Sequence, residues 1–541
     1  MVNIMNTRLR LLTEKIFPHI VKRVYVCPCG KGTIEEEQDY TPGHRDGFAA
    51  LHCRECQKNY YVDFGNSQTK WTLKKVGGEK MDNLWLLTEE RPKLSVVFTI
   101  LDEYNNDFGA RVSINENFNI KPIIKDGKFT FEYLVEGVSI QGIANVFIEI
   151  VSGNSSFVDY MLIRQEAKPI DHSLDNVLMA IEETKTSDAE SRNTGIYQRA
   201  SKFVYIDNYC PQAKKYMLYN EEMTPDEDRI PTDTNRFGTN MLLTLGVKFI
   251  GKTMRGFRAF ASVEEMVAQK STMRLPNHTN VPIILHQYTD KITVSGRLAK
   301  PKDAGNIGHD PNIGALSCIG YTLRKLGWDK DIIVTHHGVS QSYVDRTRGR
   351  NKCLFLFNMN GMKLEGINLP PIIPMPEFYW NYSCSSEKVA SIFLHLTCQY
   401  SGIHGIYENH AGCERGYFRT QTGQFITLPK KDRFGNNLLL PDVVLCDDET
   451  QEIYNVEGKK LSTLADGVRE IATYDSIEEE FIKPYYRGFA IQRWISIFGG
   501  NLNRIPHEKV LIYLNDTGEV YINNATPENI KSAFRIIGIT C

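Results

Sequence analysis

A chain of 541 residues, 42% hydrophobic and 24% charged, has the composition of a folded globular protein, and its length predicts roughly two to four domains. The formal net charge of −2 excludes a protein that coats nucleic acid through overall basicity but leaves room for a local basic groove. No apolar run reaches the roughly 18 residues that span a bilayer, and no signal-peptide core is present, so the expectation is a cytoplasmic protein with no membrane partner.

Residues 1–78 form the first expected module. The Leu, Ile and Phe spacing of the first 26 residues predicts an amphipathic helix. Two cysteine pairs follow, Cys27-Pro28-Cys29 and Cys53-Arg54-Glu55-Cys56. Tight turns at such pairs present thiolates tetrahedrally to Zn²⁺, and a segment this small needs the metal's binding energy to fold. The pairs resemble zinc-ribbon knuckles. The first pair is CxC rather than CxxC, so His44 or His52 could stand in for one cysteine. The other eight of the twelve cysteines are scattered and suggest no disulfide framework.

Residues 79–168 alternate and are rich in β-branched and aromatic types, which predicts a small β-rich domain. Asp159, Glu166 and Lys168 fit a D…ExK spacing there. No proline precedes Asp159 and a polar stretch follows at once, so this match is set aside. Residues 169–193 read as a polar linker. The remainder of 169–376 reads as a mixed α/β region with a role in DNA recognition. Gly246–Thr253 matches GxxxxGK[ST] in letters, but Val247, Lys248, Phe249 and Ile250 are strand-like and bulky where a phosphate loop needs small residues. No ATP is expected. Arg346, Arg348, Arg350 and Lys352 form a basic cluster suited to phosphates or guanine edges, with a solvated surface loop as the other reading. The proline-rich run 369–376 marks the boundary to the last domain.

Residues 377–541 carry the densest chemistry. Ser385–Tyr400 predicts a buried helix with Glu387 in its first turn. Pro441-Asp442 lies in one apolar run and Glu457-Gly458-Lys459 closes another, separated by the polar turn Asp447–Gln451. A hairpin would bring Asp442, Glu457 and Lys459 to one edge of a sheet, with Glu457 and Lys459 on one face. Two carboxylates and a lysine there can hold Mg²⁺ and a water beside a phosphodiester. A helical stretch at 464–486 and strands at 488–498 and 510–513 follow. Gln492 and Arg493 on the first of these strands are candidates for a position near the phosphate.

The motif and this element order resemble the PD-(D/E)XK nuclease core of type II restriction endonucleases. The resemblance implies a multidomain α/β (α+β) protein with a C-terminal PD-(D/E)XK core, an N-terminal zinc ribbon and a β-rich second domain. It implies Mg²⁺ ligation by Asp442, Glu457 and the Gly458 carbonyl, with Lys459 positioning the attacking water. Glu387 would complete the site, with Glu408 its rival. Cys27, Cys29, Cys53 and Cys56 would hold structural Zn²⁺. Double-stranded DNA and a second copy of the chain are the implied partners. The expected activity is sequence-specific, Mg²⁺-dependent hydrolysis of DNA. Two alternatives stay open: a zinc-containing DNA-binding protein with a catalytically silent nuclease fold, and a structure- or damage-directed nuclease.

Overall fold

The computed structural model describes residues 9–43, 46–58, 60–64, 69–75, 81–151, 158–169, 176–184, 195–219, 232–273, 283–296, 311–336, 340–346, 352–369, 387–409 and 416–540. They fall into two compact units, Met1–Met81 and Asp82–Cys541. Together they make a mixed α/β protein with several separate sheets.

The first unit is an antiparallel meander, β1 (Leu11–Ile16), β2 (Ile20–Val26), β3 (Thr33–Asp39) and β4 (Asp46–His52). A one-turn helix α1 (Arg54–Gln57) and a hairpin of β5 (Tyr60–Asp63) and β6 (Thr72–Lys75) complete it. Cys27, Ile34, Leu51, Cys56, Trp71 and Leu73 form its small core. The helix expected over the N-terminal residues is corrected: 11–16 and 20–26 pair as a hairpin. Pro18 interrupts any helix at its middle, and Phe17 N–H closes the turn on the Ile20 carbonyl at 2.8 Å. The β-branched residues of IVKRVYV then favour the pleated pairing.

The second unit begins with β7 (Asp82–Thr88), α2 (Leu94–Phe108), β8 (Val112–Lys125), β9 (Lys128–Ile140), β10 (Ile143–Ile150), β11 (Tyr160–Gln165), β12 (Val177–Thr184), α3 (Gly195–Tyr209), β13 (Lys214–Tyr219), α4 (Asp233–Thr244) and β14 (Val247–Ile250). These strands form one sheet in the order β14-β13-β12-β11-β7-β10-β9-β8. The sheet crosses the division expected at 168/169, because β11 pairs antiparallel with β12. The stretch matching a phosphate loop is the edge strand β14.

A four-stranded sheet follows, β15 (Ile284–Gln287), β16 (Lys291–Ser295), β17 (Asp331–His336) and β18 (Met362–Leu364), with α5 (Val263–Thr272), α6 (Pro311–Lys325), α7 (Gln341–Arg346) and α8 (Lys352–Met359). Of the basic cluster, Arg346 ends α7 and Lys352 begins α8, while Arg348 and Arg350 lie outside the described residues.

The last section runs α9 (Val389–Cys398), β19 (His404–Glu408), a hairpin β20 (Tyr417–Arg419) and β21 (Phe425–Thr427), β22 (Val443–Asp447), β23 (Glu452–Lys460), α10 (Leu464–Ile471), α11 (Asp475–Ile477), a π turn (Glu478–Ile482), α12 (Lys483–Tyr485), β24 (Ala490–Phe498), β25 (Val510–Leu514), β26 (Val520–Ile522) and α13 (Glu528–Ile536). Its sheet has the order β19-β22-β23-β24-β25-β26. β19, β22 and β23 are antiparallel; β24 and β25 run parallel to β23. Strands buried on both faces read as continuous apolar runs, as VVLCD and VLIYL do. One face, with Val443, Leu445, Tyr454 and Val456, packs on α9 and α13. The other, with Val444, Cys446 and Ile453, packs on residues of α10 to α12 such as Ile471 and Ile477.

Candidate active site and metal centre

The β22–β23 turn is set by Asp447, whose Oδ1 accepts from the amides of Glu449 and Thr450, and by Gln451 at φ +55°. Val443 pairs with Val456, which places Asp442 opposite Glu457. Strand alternation puts Glu457 and Lys459 on the α10 face with Ile453, and Asp442 stands just before β22, at the end of the strand pair. Lys459 Nζ lies 2.6 Å from Glu457 Oε1 and 2.8 Å from Glu470 Oε2. Tyr474 OH donates to Glu457 Oε2. The amide of Gly458 donates to Asp442 Oδ2 at 2.9 Å, and Asn409 Nδ2 reaches Asp442 Oδ1 at 3.4 Å.

Glu457 and Lys459 are buried. Burial, reinforced by the charge of Asp442, pushes the Glu457 carboxyl up to about 8, against the opposing hydrogen bonds from Lys459 and Tyr474. Burial opposes the Lys459 charge, but the carboxylates of Glu457 and Glu470 outweigh it and keep the ammonium protonated. The Glu457 carboxyl, buried beside the Asp442 charge, is a donor that a divalent cation would relieve. Asp442 and Glu457 therefore fit a hard cation of the Mg²⁺ type.

Gly458 faces the opposite way, toward α9. A Cβ there would sit 3.1 Å from Asp442 Oδ2, the Glu387 carbonyl and Ser391 Oγ, so this central residue must stay small. Glu387 precedes α9, which starts at Val389 after Lys388; the expected first-turn position shifts by one turn. Glu387 is exposed, and its backbone carbonyl lies against β23. Glu408 is committed elsewhere. Arg91 forks onto it, Nε on Oε1 and Nη2 on Oε2 at 2.8 Å, and His395 Nδ1 lies 2.7 Å from Oε1. Despite the burial penalty, the Arg91 guanidinium, with His395 beside it, holds Glu408 well below the usual carboxylate range.

Arg493 is taken up by Glu478, at 2.7 Å, and by Asp475, and Gln492 donates to Glu452 at 2.9 Å. Neither is near Asp442 by any such contact. Sequence reasoning missed Glu470, Tyr474 and Asn409. The first two lie four residues apart, a one-face helical spacing visible in the chain, but nothing local says that this face meets β23.

In the first unit the Sγ atoms of Cys27, Cys29, Cys53 and Cys56 converge within 4.8 Å of one another, a ligand set compatible with zinc. Cys27 Sγ lies 3.3 Å from Cys29 Sγ, which lies 3.4 Å from Cys53 Sγ. The CxC pair works because Gly30, at φ +77°, closes a turn back to the Cys27 carbonyl, and the Gly32 amide points at Cys27 Sγ at 3.1 Å. A Cβ on Gly32 would strike Cys53 Cβ at 2.6 Å. Burial disfavours the Cys27 thiolate, yet hydrogen bonds from the Cys29 thiol and the Gly32 amide bring it down to about 6. His52 instead lies 3.7 Å from Glu35, and His44 is outside the described residues.

Among known proteins, the chain matches no family model, no curated sequence and no solved structure. Among the described residues no helix is long and apolar enough to cross a membrane.

Proposed function

We propose that this chain is a Mg²⁺-dependent DNA endonuclease of the PD-(D/E)XK type, acting at specific sequences, with Asp442, Glu457 and Lys459 as its centre. The carrying observation is the placement of Asp442 opposite Glu457 across the β22–β23 pair, with Lys459 on the same strand face as Glu457 and 2.6 Å from it. The order α9, β19, β22, β23, helix, β24, with an antiparallel meander and then a parallel strand, supports the same reading.

Asp442 and Glu457 would hold Mg²⁺, joined by the Gly458 carbonyl, and a cation held there would offset charge on the phosphate and make a bound water more acidic. Lys459 is a protonated ammonium, so its role is to orient the water and offset charge on the phosphorane-like transition state rather than to take a proton. Tyr474 and Glu470 fix the positions of Glu457 and Lys459. In the reaction the water oxygen bonds to phosphorus and the bond from phosphorus to one sugar oxygen breaks. The water's protons end on that oxygen and on the new phosphomonoester. The zinc-compatible module and residues 169–376 would contribute DNA contacts. Cutting both strands needs two centres, which a homodimer would supply.

Long unmodified DNA incubated with the protein and Mg²⁺ should give discrete fragments that vanish with EDTA and with Lys459→Ala. A Mg²⁺-dependent smear would favour a structure-directed nuclease. Retained binding with intact DNA, on modified-base substrates as well, would favour the catalytically silent alternative.

A further inference from the structure

The centre at Asp442 has a counterpart in the first half of the second unit. β7, β11, β12, β13 and β14 repeat the order and polarity of β19, β22, β23, β24 and β25. In each set the first three strands are antiparallel neighbours and the next two run parallel to the third. A helix crosses over between third and fourth strands in both, α3 in one and α10 to α12 in the other.

The side chains repeat too. Tyr160 pairs with Ile181, which places Asp159 opposite Glu182 as Asp442 stands opposite Glu457. The amide after each glutamate donates to the aspartate Oδ2: Glu183 N to Asp159 at 2.7 Å, Gly458 N to Asp442 at 2.9 Å. Two residues beyond the glutamate stands Thr184 in place of lysine. The cations come instead from the crossover helix: Lys202 Nζ lies 2.8 Å from Glu182 Oε1 and 3.8 Å from Asp159 Oδ1, and Arg199 Nε lies 3.8 Å from Glu182 Oε2. Burial and the Asp159 charge push Glu182 up to about 7, the same causes in the same order as at Glu457. Glu89, opposite Asp159 across β7, is pushed by burial up to about 8. The two sets meet where their first strands end, through the Arg91–Glu408 ion pair.

From this repeat we infer that Asp159, Glu182 and Lys202 form a second divalent-cation centre that hydrolyses phosphodiesters, so that one chain carries both centres needed to cut a duplex and takes the place of the second copy that a single centre per chain calls for. The inference rests on the nuclease reading of Asp442, Glu457 and Lys459. The reaction is the same: water oxygen to phosphorus, departure of one sugar oxygen, and the water's protons on the two products. Lys202 is a cation here, as Lys459 is in the other centre.

The test uses the full zinc-loaded chain and supercoiled plasmid with Mg²⁺. The isosteric variants Asp159→Asn and Asp442→Asn should each accumulate nicked circles, with linear product falling at least about 100-fold, and the double variant should leave the plasmid supercoiled. Linear product from Asp159→Asn at the unmodified rate, with Asp442→Asn inert, would overturn the second centre and leave the first intact. Calorimetric titration with Mn²⁺ decides the matter even if no DNA is cut. Two binding events, one lost in each single variant, are expected. A single event lost only in Asp442→Asn, or none, overturns the inference.

Discussion

Arg91 and Glu408 stand 317 residues apart in sequence and share a two-pronged ion pair, with Nη2 on Oε2 at 2.8 Å. His395 flanks the same carboxylate. The pair ties the end of β7 to the end of β19 in a largely covered setting, where a charge without its partner is costly. Arg91→Ala should lower the stability of the second unit by about 3–5 kcal/mol, read by chemical denaturation. Arg91→Ala with Glu408→Gln should recover part of that loss, since the stranded charge is then gone.

Lys459→Ala should reduce the cleavage rate about 10²–10³-fold, the loss typical of one preorganised charge at a transition state. DNA affinity in Ca²⁺ should change little, because Lys459 is buried beside Glu457 rather than displayed on the surface. A parallel collapse of affinity would place Lys459 in binding rather than in chemistry.

Tyr474 donates to Glu457, and that hydrogen bond lowers the carboxyl's pKa. Tyr474→Phe removes it, so Glu457 should protonate at higher pH. The acidic limb of the pH–rate profile should move to higher pH in the variant. An unmoved limb with a uniformly lower rate would leave Tyr474 a packing role only.

The raised Glu457 has a consequence for stability without cation. Between its usual 4.5 and its folded value of about 8 the folded protein holds a proton that the unfolded chain has released. Stability therefore falls as pH rises through that window. Mg²⁺ competes with that proton, so its stabilising shift in melting temperature should be larger at pH 8 than at pH 6. Equal shifts would place the bound Mg²⁺ away from Glu457.

Gly458→Ala forces a Cβ to 3.1 Å from the Asp442 carboxylate, the Glu387 carbonyl and Ser391 Oγ. A displacement of a few tenths of an ångström at Asp442 should cost roughly 10-fold in cleavage rate, because reacting geometry tolerates little error. Removal of metal from the first unit is a separate matter. Chelation, or Cys56→Ser, should unfold that unit, seen as lost amide protection over residues 9–75, because its core has few apolar side chains besides the cysteines.

The hairpin of β22 and β23 was legible in the chain, because its apolar runs, its Asp447 turn and its Asp442 and Glu457-Lys459 ends are all local signals. The cysteine set was legible for a similar reason, since thiols in two short pairs have few other uses. The N-terminal strand pair was misread as a helix: spaced Leu and Ile fit both periods over so short a span, and the turn at Pro18 and pairing with β3 decide between them. Glu387 and Glu408 show the harder limit. Their carboxylates look alike in sequence, yet one stands exposed before α9 and the other is locked under Arg91, a partner from the other half of the unit.

The chain by itself determined the short-range features of the β22–β23 hairpin: its two apolar runs, its turn, Asp442 at the start of one run, and Glu457 and Lys459 on one face of the other. These follow from side-chain period and turn chemistry within a few residues. Tertiary structure alone decided which distant groups meet each carboxylate pair. Asp159 meets Glu182 and Lys202 rather than Glu166 and Lys168, because β11 pairs antiparallel with β12 and α3 lies across the face they share. Lys168 instead pairs with Glu132 and Glu149. Strand pairing and helix packing are set by burial of whole faces, a property summed over many residues, and no single spacing in the sequence records it.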